Sequence, residues 1–238
     1  MRLLIDAGNS RIKWGVHDGK AWVDGGVAEH DAIGTLAEVW RRHAIGTTLA
    51  ANVAGQSVRD AIESVAPTVV NWIGAEARRD GVTNHYRQVA EQGADRWLAV
   101  LAARARYDQD IVVACAGTAL TVEALTAEGE YLGGIILPGF RLMLGSLATG
   151  TAQLDRAPGE YADFPQGTSD ALASGALDAM AGAIERMRRK LAERTGRELP
   201  RAILTGGDAR RVAGMLAGKV DIVDNLVLEG ILRVASAR

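Results

Sequence analysis

The chain has 238 residues, 48% of them hydrophobic and 24% charged, with a formal net charge of −2. That length holds one large domain or two modest ones, and a near-neutral balance offers no electrostatic basis for a nucleic acid or an anionic membrane as partner. The single cysteine, Cys115, excludes an internal disulfide and fits a reducing compartment.

The first apolar run, Leu3-Leu4-Ile5, is too short for a signal-peptide core and is closed by Asp6. The best membrane-span candidate, 131–148, is broken by Pro138 and Arg141. A cytoplasmic protein is expected.

Leu3-Leu4-Ile5 reads as a buried strand that runs straight into Asp6-Ala7-Gly8-Asn9-Ser10. Beyond that loop Ile12, Trp14 and Val16 alternate with Lys13 and Gly15, as in a half-buried strand. Asp18-Gly19 signals a hairpin turn, with 21–27 as the return strand. Residues 31–42 and 94–107 carry helical periodicity.

The strand-loop-strand pattern returns at Ile111. The run 111–114 leads into Cys115-Ala116-Gly117-Thr118-Ala119, then a strand over 120–125, a turn at 128–130 and a strand over 131–137. Gly8 and Gly117 take matching positions. A repeat of this period is a statement about architecture, two similar halves each offering a glycine loop between strands.

A long helix follows, capped by Thr168 or Ser169, with apolar positions from Leu172 to Leu191 and an end at Gly196. Arg186, Arg188, Arg189 and Lys190 read as its solvated face. A strand at 202–204 enters a third glycine turn, Thr205-Gly206-Gly207-Asp208, before a helix over 209–217.

Glycine loops after strands suit phosphate binding, because backbone N–H groups hold a phosphate chain only where small residues permit close approach. Asp6, beside the first loop, is placed to help hold Mg²⁺ through oxygen or water. No G-x-x-x-x-G-K-[ST] and no G-x-G-x-x-G sequence occurs, which argues against P-loop and dinucleotide folds. Each loop alone is equally a tight turn; their repetition favours a nucleotide.

Gly93-Ala94-Asp95-Arg96 opens a helix. Asp95 reads either as a first-turn carboxylate favoured by the helix dipole or as a general base beside a cationic partner that also grips an acidic substrate. Tyr86 lies in the polar loop before it. The histidines His17, His30, His43 and His85 have no metal-ligand spacing and read as surface or turn residues.

These residues resemble the type III pantothenate kinase family. Asp6-Ala7-Gly8-Asn9-Ser10 is similar to its first phosphate motif, Tyr86 with Gly93-Ala94-Asp95-Arg96 to its pantothenate segment, and Ala116-Gly117-Thr118-Ala119 to its second phosphate motif. Gly133 to Gly139, Thr151 to Leu154, the segment from Thr168 to Gly175, and Leu226 to Gly230 continue the pattern in order.

The resemblance implies an α/β fold of two duplicated ribonuclease H-like (actin-like ATPase) halves, 1–109 and 110–238, with a nucleotide cleft between them. It implies ATP-dependent phosphorylation of pantothenate to 4′-phosphopantothenate, the first step towards coenzyme A, by a homodimer with its active site at the subunit interface. Carried over, Asp6, Ala7, Gly8, Asn9, Ser10, Arg11, Ile12 and Lys13 line the ATP phosphates, with Thr118 a further ATP contact. Asp95 is the general base; Tyr86, Gly93, Ala94, Asp95, Arg96 and, from the neighbouring subunit, Thr168 bind pantothenate. Mg²⁺ accompanies ATP.

One departure stands out. The family usually has Asp at the position of Cys115, where it helps bind potassium or ammonium. A neutral thiol is a poor ligand for a hard cation, so a weaker or altered cation requirement is expected; the alternative is a small cysteine that only packs in its strand. A kinase of the same superfamily acting on a sugar or acyl group, and a silent binding protein that keeps the fold, are the rival readings.

Overall fold

A computed structural model describes residues 1–236, which fall into two compact units: Met1–Arg106 with the segment from Asn225 onward, and Tyr107–Asp224.

In the first unit β1 (Arg2–Ala7), β2 (Ile12–His17) and β3 (Trp22–Ala28) form an antiparallel meander. Helix α1 (Leu36–Arg41) leads to β4 (Thr47–Asn52), and α2 (Gln56–Val65) to β5 (Val70–Trp72). Strands β4 and β5 add in parallel on the other side of β1, giving the order β3-β2-β1-β4-β5. As the central strand, β1 buries both faces, so Leu3, Leu4, Ile5 and Ala7 all lack exposed surface and the sequence reads as a continuous apolar run.

One face of this sheet is built from cross-strand pairs, Leu3 with Val16, Ile5 with Trp14 and Ala7 with Ile12. They pack with Leu36, Trp40, Val58 and Ile62, and Trp14 meets Trp40 edge-on at 6.2 Å between ring centroids. The expected Asp18-Gly19 turn is present, its Asp18 Oδ1 accepting the N–H groups of Lys20 (2.7 Å) and Ala21 (2.8 Å). The single helix expected over 31–42 is instead a 3₁₀ segment, His30–Thr35, followed by α1; Gly34 and Thr35 are poor helix formers at the junction. A short hairpin, β6 (Arg78–Arg79) and β7 (Val82–Asn84), precedes α3 (Ala94–Arg106).

The second unit repeats the plan. Strands β8 (Ile111–Ala116), β9 (Ala119–Leu125) and β10 (Glu130–Pro138) form the meander. Helices α4 (Phe140–Gly150) and α5 (Thr168–Thr195) then lead to β11 (Arg201–Thr205), and α6 (Ala209–Ala213) to β12 (Val220–Ile222). Both late strands are parallel, so the order β10-β9-β8-β11-β12 matches the first sheet strand for strand. The two meanders differ at the first turn: four residues, 8–11, separate β1 from β2, whereas only Gly117 and Thr118 separate β8 from β9.

Three expectations for this unit are corrected. Helix α5 has Gly167 at its N-cap, which offers no side chain for capping; Asp170, one turn in, serves the approaching loop, its Oδ1 accepting the Glu160 N–H at 3.0 Å. Of the supposed solvated face, Arg188 is fully buried, donating to the carbonyls of Pro200 (2.7 Å) and Ala217 (2.6 Å) and to Glu185 (2.7 Å). These backbone and carboxylate oxygens supply acceptors that a buried guanidinium requires. Helix α6 stops at Ala213, where Gly214 follows, rather than running to 217. The end of α5 is as expected, Gly196 taking φ 67° and donating to the Ala192 carbonyl.

The last helix, α7 (Leu226–Ser236), groups with the first unit. Its apolar side is buried against α3, and Gly230 lies so close to the Leu98 backbone that a Cβ there would overlap the Leu98 carbonyl. Arg106 of α3 pairs with Glu229 at 2.6 Å alongside.

Candidate functional site

The first glycine loop is tied down at both polar groups of Gly8. The Gly8 N–H donates to the Arg11 carbonyl at 3.2 Å, and its carbonyl lies 2.9 Å from Nε2 of His30, which donates to it. The Ala7 carbonyl accepts the Val53 N–H at 3.0 Å, and a Cβ on Gly93 would lie 3.6 Å from the Val53 side chain. Through Val53, then, the fold brings the loop at 6–13 and the segment at 93–96 together.

Asp6, next to the last residue of β1, stands opposite Lys13 of β2. Burial pushes its carboxyl up to about 7, the neighbouring Asp95 carboxylate adds to the rise, and Lys13 opposes it. Asp6 and Asp95 therefore lie within electrostatic reach of one another. Asp95 opens α3, its Oδ1 accepting the Arg96 N–H at 2.8 Å. Gly93 is small for a reason: a Cβ there would stand 2.6 Å from that oxygen.

Arg96 is buried, 5% exposed. It donates to the Tyr86 hydroxyl at 2.7 Å, and its guanidinium carbon stands 5.5 Å from the centre of the Tyr86 ring. Tyr86 and Arg96 thus form one unit, a cation held by a phenol beside a carboxylate. Such a pair is suited to orienting an acidic ligand near a proton acceptor.

In the second unit Cys115 and Ala116 close β8, and the Gly117 N–H donates to the Ala119 carbonyl at 3.1 Å. The Thr118 carbonyl takes the Gly139 N–H at 2.9 Å, and a Cβ on Gly139 would overlap the Gly117 carbonyl. The third glycine turn closes on the same loop. Gly206, at φ 100°, leaves no room for a Cβ against the Ala116 carbonyl, which accepts the Asp208 N–H at 3.1 Å. Three glycine segments therefore converge, leaving Thr118 exposed at the loop tip. Cys115 is half-buried, in register with Thr121 on one side and Thr205 on the other. Thr168 is exposed as the first residue of α5.

Among the described residues no cluster of three or more His, Cys, Asp or Glu is arranged to hold a metal ion. A carboxylate beside a glycine loop would suit a Mg²⁺ ion that keeps most of its ligands from phosphate and water. Asp6 fits that role.

Two contributors escaped the sequence reading. His30 carries no motif signal, and its role appears only when the 3₁₀ segment folds back onto Gly8. Asn84 (8% exposed) organises the loop that bears Tyr86, and nothing but its position two residues before Tyr86 hinted at this.

Residues 2–190 match the model of a family described as type III pantothenate kinase. A protein named type III pantothenate kinase from Chromobacterium violaceum is 59% identical over 236 residues, covering 99% of this chain and 100% of its own. Among solved structures, a Campylobacter jejuni protein named for the Baf family of transcriptional activators superposes with a TM-score of 0.68 at 22% identity, over 99% of this chain and 98% of its own. A ROK family glucokinase from Streptomyces griseus, solved with glucose and AMPPNP, superposes with a TM-score of 0.54 at 11% identity, over 100% and 99%. At such identities these structures speak for the fold alone, an α/β plan of two duplicated ribonuclease H-like (actin-like ATPase) halves.

Proposed function

We propose that this chain, which belongs to the type III pantothenate kinase family, transfers the γ-phosphoryl group of ATP to the 4′-hydroxyl of pantothenate, giving 4′-phosphopantothenate and ADP. Full-length identity of 59% to a relative of that name is the observation that carries the reading.

The roles follow from chemistry. Asp95 accepts the hydroxyl proton as the oxygen attacks the γ-phosphorus and the bond to the β-phosphate oxygen breaks. Arg96, braced by the Tyr86 hydroxyl, pairs with the pantothenate carboxylate. Gly93 and Ala94 keep the backbone close to that ligand, and Thr168 is a further pantothenate contact. The segment Asp6 to Lys13 and Thr118 serve ATP, the loop N–H groups facing phosphate oxygens. Mg²⁺ bound with ATP spreads the negative charge that builds on the transferring group, and Asp6 holds it directly or through water. The carboxyl of Asp6, raised by burial and by Asp95, is one that a divalent cation would bring back to its ionised form.

A homodimer with Thr168 supplied by the neighbouring subunit is part of the same reading. Exposed apolar side chains in the second unit support it: Phe164 is 88% exposed, Ile136 62% and Leu142 48%. No helix among the described residues is long and apolar enough to cross a membrane; with a lone cysteine, this supports action in the cytoplasm.

The test is ATP turnover by the purified protein with Mg²⁺, with and without pantothenate, in potassium, ammonium and sodium buffers. Pantothenate-dependent ADP release is expected; turnover that pantothenate does not stimulate in any buffer overturns the reading.

A further inference from the structure

Between β7 and α3 the chain makes an eight-residue excursion, 85–92, whose two ends carry the groups assigned to the substrate: Tyr86 at one, Gly93 to Arg96 at the other. One side chain joins the ends. The Oδ1 of Asn84 accepts the Tyr86 N–H at 3.0 Å, and its Nδ2 donates to the Gln92 Oε1 at 2.7 Å and to the Glu76 carbonyl at 3.1 Å. The Asn84 N–H donates to the Ala77 carbonyl at 2.9 Å, fixing the backbone beneath it. Asn84 is 8% exposed and Gln92 5%, so water does not compete for these bonds.

The bonds also fix which way each amide faces. A backbone N–H settles Asn84 Oδ1 as acceptor, so Nδ2 is a donor, and Gln92 must present Oε1 to it. The Gln92 Nε2 is left as a buried donor without a partner. What the bridge secures is the spacing between Tyr86 and the start of α3. That spacing matters because the Tyr86 hydroxyl must meet the Arg96 guanidinium.

We propose that Asn84, acting through Gln92, is a positioning residue for pantothenate: it closes the 85–92 loop so that Tyr86 and Arg96 form one binding unit. This rests on the assignment of Tyr86 and Gly93 to Arg96 to pantothenate. Asn84 touches no reacting atom, and its loss acts on substrate affinity rather than on the ATP loop, which is held separately by His30 and Arg11.

The experiment measures KM for pantothenate, KM for ATP and kcat for Asn84→Ala, Gln92→Leu and Tyr86→Phe, with melting temperatures alongside. In Asn84→Ala, KM for pantothenate rises about tenfold or more while KM for ATP stays within about twofold. Gln92→Leu, which removes one of the three side-chain bonds and also the unpaired donor, gives a smaller rise of the same kind without loss of thermal stability. If Asn84→Ala does not fold, Gln92→Leu alone decides. A lowered melting temperature with both KM values unchanged makes the bridge merely structural and overturns the proposal. If Tyr86→Phe raises KM for pantothenate while the Asn84 and Gln92 variants do not, the bridge alone falls. If Tyr86→Phe also leaves it unchanged, the assignment of the segment falls and takes this proposal with it.

Discussion

The imidazole of His30 donates from Nε2 to the carbonyl oxygen of Gly8 at 2.9 Å. The Gly8 N–H is committed to the Arg11 carbonyl, so both polar groups of this glycine are held. His30→Ala frees the carbonyl and loosens the loop. The expected outcome is a rise of roughly fivefold in KM for ATP, the worth of about 1 kcal/mol of hydrogen bond, with KM for pantothenate unchanged. Steady-state kinetics with each substrate varied in turn checks it; an unchanged KM for ATP shows that the loop holds its shape without His30.

Asp95→Asn keeps an acceptor for the Arg96 N–H, so folding and ligand binding are expected to survive. What is lost is the proton acceptor, and kcat falls by roughly 10²–10⁴. Pantothenate binding measured by calorimetry, beside kcat, separates the two effects. A variant with normal turnover leaves Asp95 as a helix-terminal carboxylate and nothing more.

Cys115 stands in register between Thr121 and Thr205, where a thiol gives a potassium or ammonium ion little to bind. Turnover is expected to respond weakly to these ions against sodium, and Cys115→Asp to strengthen the response. A potassium titration of both proteins at constant ionic strength is the measurement, and identical curves would falsify the idea.

Asp6 is raised from its ordinary 3.8 to about 7 in the folded chain. The unfolded carboxyl gives up its proton first as pH rises, so between these values the folded state binds more protons and loses stability with increasing pH. The penalty is complete above pH 7 and amounts to about 4 kcal/mol at most. In ligand-free protein with chelator present, Asp6→Asn should melt higher than the parent at pH 8, with the difference vanishing towards pH 4. A difference that is constant with pH contradicts the raised carboxyl.

Gly230→Ala sets two effects against each other. Alanine favours a helix by about 1 kcal/mol over glycine, but its Cβ would overlap the Leu98 carbonyl, and overpacking costs about 1–3 kcal/mol. The overlap is with backbone, which cannot rotate away, so net destabilisation is expected. Thermal melting of the variant tests this; a raised melting temperature means that α3 and α7 separate easily.

The strand pairs at 3–17 and 111–137, the helices α3 and α5 and the stop at Gly196 were all legible in the chain itself. Each depends on interactions within a few residues: apolar period, a glycine where the backbone turns, a carboxylate in a first helical turn. The matched strand order of the two sheets was foreshadowed by Gly8 and Gly117 in equivalent strand pairs, although the four-residue and two-residue turns show that the copies are not identical.

Tertiary structure decided the rest, and the polar residues show why. Arg188 has the helical spacing of an exposed cation, yet it is buried, with the carbonyls of Pro200 and Ala217 arriving opposite it from beyond the end of α5. His30 and Asn84 look like loop residues until folding sets Gly8 against one and Gln92 against the other. Helix α7 lies last in the chain but belongs with the first unit, because Gly230 opens a seat on α3. Apolar pattern is a local property that sequence writes directly, whereas a polar group is defined by its partner, and here the deciding partners lie outside the group's own helix or strand.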